Sequence, residues 1–173
     1  MKNYFDIFNL PISFQIDIKI LTERFYNLQK KYHPDFHIYE DKKTKINIIN
    51  KSIKINHAYQ VLIDPIKRAE YLIYLNNLIL KKEKNNKYNL DFLKKHIKLC
   101  EELEILKRSS NKSEKKIRFF LKKIDNLILY YLNKIEKKII NKDWIIASKI
   151  LEKLFFLKRI KCSTIEEIKY LNK

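Results

Sequence analysis

Leu28-Gln29-Lys30-Lys31-Tyr32-His33-Pro34-Asp35 closes one helix and dictates how the chain turns after it. Upstream, Ile18, Leu21, Phe25, Leu28 and Tyr32 recur at steps of three and four residues, which predicts one buried stripe, and Asp17 is placed to cap its start. Pro34 has no place in a helix interior and pushes His33 out of the right-handed helical region, so the helix must end there. An imidazole and a carboxylate are thereby held on a short rigid loop. Downstream, Ile48, Ser52, Ile55, Tyr59 and Leu62 keep helical spacing, which fits a second helix returning antiparallel.

Composition extends this reading to the whole chain. The 173 residues allow one domain or two small ones, each with a modest core. Gly 0 and Pro 3 leave almost nothing for hairpins or tight turns. Every long segment has helical period and none alternates with period two, so the expected fold is all-α. A chain without glycine also builds no phosphate-binding loop and no dinucleotide fingerprint, since both need glycine's backbone freedom. No nucleophile–base pair or metal cluster stands out, so neither an enzyme nor a cofactor is expected.

The formal charge of +18 predicts attraction to acidic partners or nucleic acid. Yet the chain is crowded with Lys, Ile and Asn, the residues AT-rich codons favour, and its lysines spread along every helix. Arg, the residue suited to bidentate phosphate recognition, is scarce. Genome bias therefore explains the charge more simply than a nucleic-acid surface does. Cys100 and Cys162 form no CxxC pair and read as small buried hydrophobes. No apolar stretch approaches the roughly 20 residues of a membrane span, and the start of the chain lacks a leader's apolar core. The expectation is a reduced, soluble, cytoplasmic protein that engages neither membrane nor nucleic acid.

Two blocks emerge along the chain. Residues 1–75 hold a short opening segment, the helix pair, and a further helix that Pro65 starts and Asp64 caps. Residues 76–90, rich in Asn and Lys, read as a linker, with Asn76-Asn77 standing in for glycine at a helix end. Residues 91–173 carry three helical patterns. Phe92, Leu99, Leu103 and Leu106 mark the first; Ile117, Leu121, Ile124, Ile128, Tyr131, Ile135 and Ile139 the second; Ala147, Leu151, Leu154, Ile165, Ile168 and Leu171 the third. The short breaks at 109–113 and 141–143 favour antiparallel neighbours, hence a three-helix bundle.

The helix pair with His33-Pro34-Asp35 at its connection resembles a J domain. Tyr4-Phe5-Asp6-Ile7-Phe8, Tyr32-His33-Pro34-Asp35, Ile55-Asn56-His57-Ala58-Tyr59-Gln60-Val61-Leu62 and Arg68-Ala69-Glu70-Tyr71-Leu72 are similar to the J domain of the HscB family, and generic J domains lack the last run at that place. Glu101-Glu102-Leu103 and Lys153-Leu154-Phe155-Phe156-Leu157 resemble that family's C-terminal helical domain. The resemblance covers nearly the whole chain.

The family resemblance implies a co-chaperone of bacterial iron–sulfur cluster assembly with two partners. Its J domain docks on a DnaK-type chaperone, typically HscA, and stimulates ATP hydrolysis there; its C-terminal domain presents the cluster scaffold protein IscU as client. Asp35 then makes a charge-assisted bond to an Arg on the chaperone, with His33 and Pro34 fixing the loop. Arg24, Lys30 and Lys31 on the solvent side of the preceding helix suit an acidic patch and speed encounter. The two lysines also fit a merely solvated face. The resemblance places scaffold binding on Leu93, Ile97 and Glu101, one turn apart on the first C-terminal helix, with Phe156 from the last. The competing reading puts Leu93, Ile97 and Phe156 in the bundle core. Lys94 replaces an apolar residue usual in the family, Lys98 an acid, and Phe36 the basic residue that commonly follows His-Pro-Asp. His33, Asp35 and His37 could suggest a metal site, though three ligands on one loop without supporting partners make a weak one. Two other functions stay open: a J protein with a different client, and a basic helical nucleic-acid-binding protein, whose affinity would fall steeply with salt.

Overall fold

Side chains cap the helices of the first unit, as a chain without glycine requires. In a computed structural model describing residues 3–37, 39, 41–76, 90–108 and 114–171, α1 (Tyr4–Ile7) opens on a reciprocal pair. Asp6 N–H donates to Asn3 Oδ1 at 2.9 Å and Asn3 N–H donates to Asp6 Oδ2 at 3.0 Å. Asp17 accepts from Lys19 and Ile20 N–H at 2.8 and 3.1 Å to start α2 (Ile18–Lys31). Asp41 does the same for α3 (Lys42–Ile63), and its hydrogen bonds with Thr44 lower the carboxyl's pKa. Pro65 begins α4 (Pro65–Leu75), with Asp64 accepting from Ile66 and Lys67 N–H. The segment Pro34–His37 between α2 and α3 is a single 3₁₀ turn.

The helix pair is antiparallel, as the pattern predicts. Thr22 Oγ1 meets Tyr59 Oη at 3.3 Å, Gln29 donates to Asn56 at 2.7 Å, and Lys51 lies over the Tyr32 ring, so positions rise on α2 as they fall on α3. Leu21, Ile48, Ile55, Ala58 and Leu62 are buried between them, together with Phe5, Phe8, Ile66, Ala69, Leu72 and Ile73. Ser52 is buried as the spacing requires, and Tyr59 stacks on Phe25 with centroids 3.9 Å apart. Ile18 departs from the predicted stripe: at the first turn of α2 it remains exposed.

Two residues of the Arg68–Leu72 run pin this unit together. Arg68 is buried, donating from Nε to the Leu62 carbonyl at 2.7 Å and from Nη1 to the Phe14 carbonyl at 2.6 Å. Burial lowers the guanidinium's pKa, opposed by Asp64. Tyr71 Oη accepts the Tyr4 N–H at 2.9 Å while the two rings stack at 4.3 Å, fixing α1 on α4.

The second unit contains α5 (Leu90–Arg108), α6 (Glu114–Ile140) and α7 (Trp144–Leu171). The two units divide between Leu75 and Asn76. Ile117, Phe120, Ile124, Ile135 and Ile139 of α6 face Ala147, Ile150, Leu151, Leu154, Leu157 and Ile160 of α7, and α5 adds Leu103. The α6–α7 turn ends α6 with the bond pattern that normally calls for glycine. Asp143 N–H donates to the Lys138 carbonyl and Lys142 N–H to that of Ile139, with Lys142 in the left-handed region at φ 56°. Cys162 corrects one expectation: it is exposed, whereas Cys100 is half-buried. Of the expected linker at 76–90, Asn76 is a turn residue and Leu90 corrects the boundary by already opening α5, while 77–89 and the break at 109–113 lie outside the described residues. Among those described, no element is a strand, and no helix is long and apolar enough to cross a membrane.

Candidate functional site

The proline stop and the 3₁₀ turn leave His33 and Asp35 projecting from the end of the helix pair. Their side chains are 47% and 81% exposed. Asp35 N–H donates to His33 Nδ1 at 3.3 Å, and the Asp35 carboxylate lies 3.6 Å from the same nitrogen. Both contacts stay within the loop and orient its imidazole and carboxylate on each other. The carboxylate thus faces water with its acceptor positions open to an incoming guanidinium. Phe36, where a basic residue was expected from the resemblance, is exposed and meets the His33 ring edge-on at 5.8 Å.

Lys30 and Lys31 project from the last turn of α2 and are exposed. Arg24 corrects the reading of a solvent-facing cation. It is half-buried, and its Nη1 donates to the Phe8 and Asn9 carbonyls at 2.7 Å each. Asn9 sits in the left-handed region just past α1, so the guanidinium ties that helix end to α2. A short segment ending without glycine leaves carbonyls unsatisfied, and Arg24 supplies the donor. Among the described residues no three His, Cys, Asp or Glu side chains gather as a metal site, and the His37 side chain lies outside the description.

On α5, core packing is supplied by Leu103, with Leu99 and Leu106 partly buried beside it. Leu93 and Ile97 stay 38% and 47% exposed, and Glu101 is exposed on the same stripe. That disposes of the core reading for Leu93 and Ile97. Phe156 is intermediate: half-buried, with its ring 4.6 Å from His96 and 5.9 Å from Phe92, and with the Arg159 guanidinium over it. Phe92 and His96 therefore join α5 to α7 beside Leu93 and Ile97. Sequence reading used Phe92 as core and passed over His96, although their i, i+4 spacing marks a shared face. Burial lowers the His96 pKa, reinforced by Arg159, and raises that of the Cys100 thiol, reinforced by Glu104 and Glu101. Lys94 and Lys98 are exposed on the same helix.

Comparison with known proteins agrees with this fold. The DnaJ domain family matches residues 3–71. The co-chaperone protein HscB of Buchnera aphidicola subsp. Acyrthosiphon pisum (strain Tuc7) is 38% identical over 92% of this chain and 91% of its own length. The solved structure of the chaperone HscB from Vibrio cholerae superposes with a TM-score of 0.84 at 30% identity, covering 95% of this chain and 96% of that one. Human co-chaperone HscB gives a TM-score of 0.86 at 23% identity, over 99% of this chain and 83% of that one, a likeness of fold.

Proposed function

The chain belongs to the HscB family of J-domain co-chaperones, and from that premise we propose that it couples an HscA-like DnaK-type chaperone to an IscU-like iron–sulfur scaffold protein in the cytoplasm. The observation that carries this reading is the exposure of the His33 and Asp35 side chains on the His33-Pro34-Asp35 loop, with the carboxylate open to an arginine of the chaperone. Stimulation consists of favouring the hydrolysis-competent state of that chaperone, so the chain needs no catalytic residue of its own. Lys30 and Lys31 steer the encounter electrostatically. The scaffold rests on Leu93, Ile97 and Glu101, with Phe156 buttressed by His96 and Phe92. An apolar patch of this kind is where hot spots concentrate, ringed by polar residues that exclude water. Lys94 and Lys98 fit a scaffold whose own surface carries matching acids.

The test is ATP turnover by the chaperone with the chain and the scaffold added separately and together. Stimulation by the chain alone, raised further by scaffold, supports the reading. No stimulation by the chain sinks the chaperone half. Equal stimulation with and without scaffold, in the absence of any scaffold binding, sinks the client half.

A further inference from the structure

The flank of α5 that faces α6 carries a groove that none of Leu93, Ile97, Glu101 and Phe156 lines, although it borders the proposed client surface at Phe92, His96 and Lys98. Glu102 reaches Lys123 of α6 at 2.6 Å, whereas Lys107 reaches Ser163 of α7 at 3.1 Å, and Phe92 and His96 meet Phe156. At about 100° per residue these pairs give α5 two distinct flanks. Leu93, Ile97 and Glu101 begin beside the α7 flank and run onto the outer face. Lys95, Lys98 and Glu102 occupy the opposite one.

Between α5 and α6 on that opposite flank lies a cavity of about 350 Å³. Its floor is apolar and aromatic: Phe92, Leu99, Leu127, Tyr131 and Leu157. Its mouth is cationic. Lys123 is the one lysine there engaged by Glu102, while Lys95 and Lys98 make no ion pair among the described residues. Behind the floor, the Lys153 ammonium lies 5.1 Å from the Phe92 centroid and 5.7 Å from that of Tyr131, adding positive potential to two lining rings.

We propose that this groove is a second protein-binding site, taking an acidic segment that inserts one large apolar side chain. A volume at the low end of ligand-sized pockets suits one aromatic or leucine side chain better than a whole cofactor. The Lys95 and Lys98 ammonium groups at the rim, exposed and without an ion pair among the described residues, select carboxylates flanking that side chain. Because none of Leu93, Ile97, Glu101 and Phe156 lines the groove, peptide binding there is read independently of whether an IscU-like scaffold is the client.

The probe is a fluorescein-labelled peptide of sequence EDLFDE, titrated against the full chain by anisotropy, with EDAADE and KKLFKK as comparisons. EDLFDE binds, and both comparisons bind at least about tenfold more weakly. Lys95→Glu/Lys98→Glu, a surface change checked by helicity, weakens EDLFDE about tenfold, while Ile97→Ala on the other face leaves it unchanged. Three results would overturn the proposal: no EDLFDE binding, unchanged binding in the double variant, or equal affinity for KKLFKK. Tighter binding of decanoate than of EDLFDE would reassign the groove to a small amphiphile. Self-association that blocks the peptide would reassign it to a second copy of the chain.

Discussion

Asp35 and Arg68 illustrate opposite uses of a charged side chain. Asp35 is exposed and touches only its own loop, so removing its charge leaves the fold nearly indifferent. Asp35→Asn should abolish ATPase stimulation while shifting stability by no more than about half a kcal/mol, the usual range for exposed substitutions. An early-melting variant, or one that still stimulates fully, would return the residue to a structural role. Arg68 is buried, and its charge is stabilised by carbonyl acceptors, by the Phe14 ring 5.7 Å from the guanidinium carbon, and by the pull of Asp64. Arg68→Met keeps much of the volume but leaves the Leu62 and Phe14 carbonyls unpaired, and should cost about 2–4 kcal/mol in chemical unfolding. A loss below half a kcal/mol would show that water replaces the guanidinium. The sequence made Arg68 visible as part of a family-like run and hid its purpose, because all its acceptors are backbone atoms distant or unremarkable in sequence. Arg24 was misplaced for the same reason: its partners, the Phe8 and Asn9 carbonyls, carry no side-chain signature.

Helices were legible where one face is buried and less so where a helix packs on two neighbours. The α2 and α3 stripes follow their sequence spacing, apart from the exposed first turn at Ile18. For α7, the residues Ala147, Leu151, Leu154 and Ile168 were visible, but Ile150, Leu157, Ile160 and Thr164 are buried as well. A helix contacted by both α5 and α6 buries a stripe too broad for a single seam to describe. Phe120 of α6 escaped similarly, one position off the seam yet fully buried. Turns show the cost of a glycine-free chain. Lys142 holds a left-handed conformation that a side chain with a Cβ resists. Lys142→Gly should stabilise the chain by about 1 kcal/mol, read as a raised melting temperature, whereas Lys142→Ala should give no such gain. An unchanged Lys142→Gly melting point would show that the turn tolerates lysine without strain. The α5–α7 contact adds a pH dependence. Because His96 has a lowered pKa in the folded chain, the unfolded chain binds more protons there, and stability rises with pH up to about 6.5. Acidification through that window should therefore destabilise the chain, and His96→Gln should remove part of the slope. A variant with the same slope would exclude His96 as its source.

The division of the chain after Leu75 puts the His33–Asp35 loop and the Leu93–Ile97–Glu101 face on separate compact units. The proposed function uses that separation, since each unit engages one partner while the covalent connection keeps both partners local. For two modules on one chain, the second encounter proceeds at an effective concentration reaching the millimolar range when the linker allows simultaneous engagement. This advantage belongs to the intact molecule and to neither surface by itself. Two variants expose it. Asp35→Asn retains the client face and loses the chaperone contact; Leu93→Ala/Ile97→Ala retains the loop and loses the apolar anchors, at little stability cost because both side chains are substantially exposed. If each molecule must hold both partners, an equimolar mixture of the two variants should fail to reproduce the scaffold-dependent rise in the chaperone's ATP turnover seen with the unaltered chain. The Leu93→Ala/Ile97→Ala chain should still stimulate the chaperone when scaffold is absent. A mixture that matches the unaltered chain at the same total concentration would mean that scaffold and J domain reach the chaperone independently. The covalent joining of the two units would then confer no advantage in delivery, and the adaptor mechanism would be wrong even if both surfaces bind as assigned.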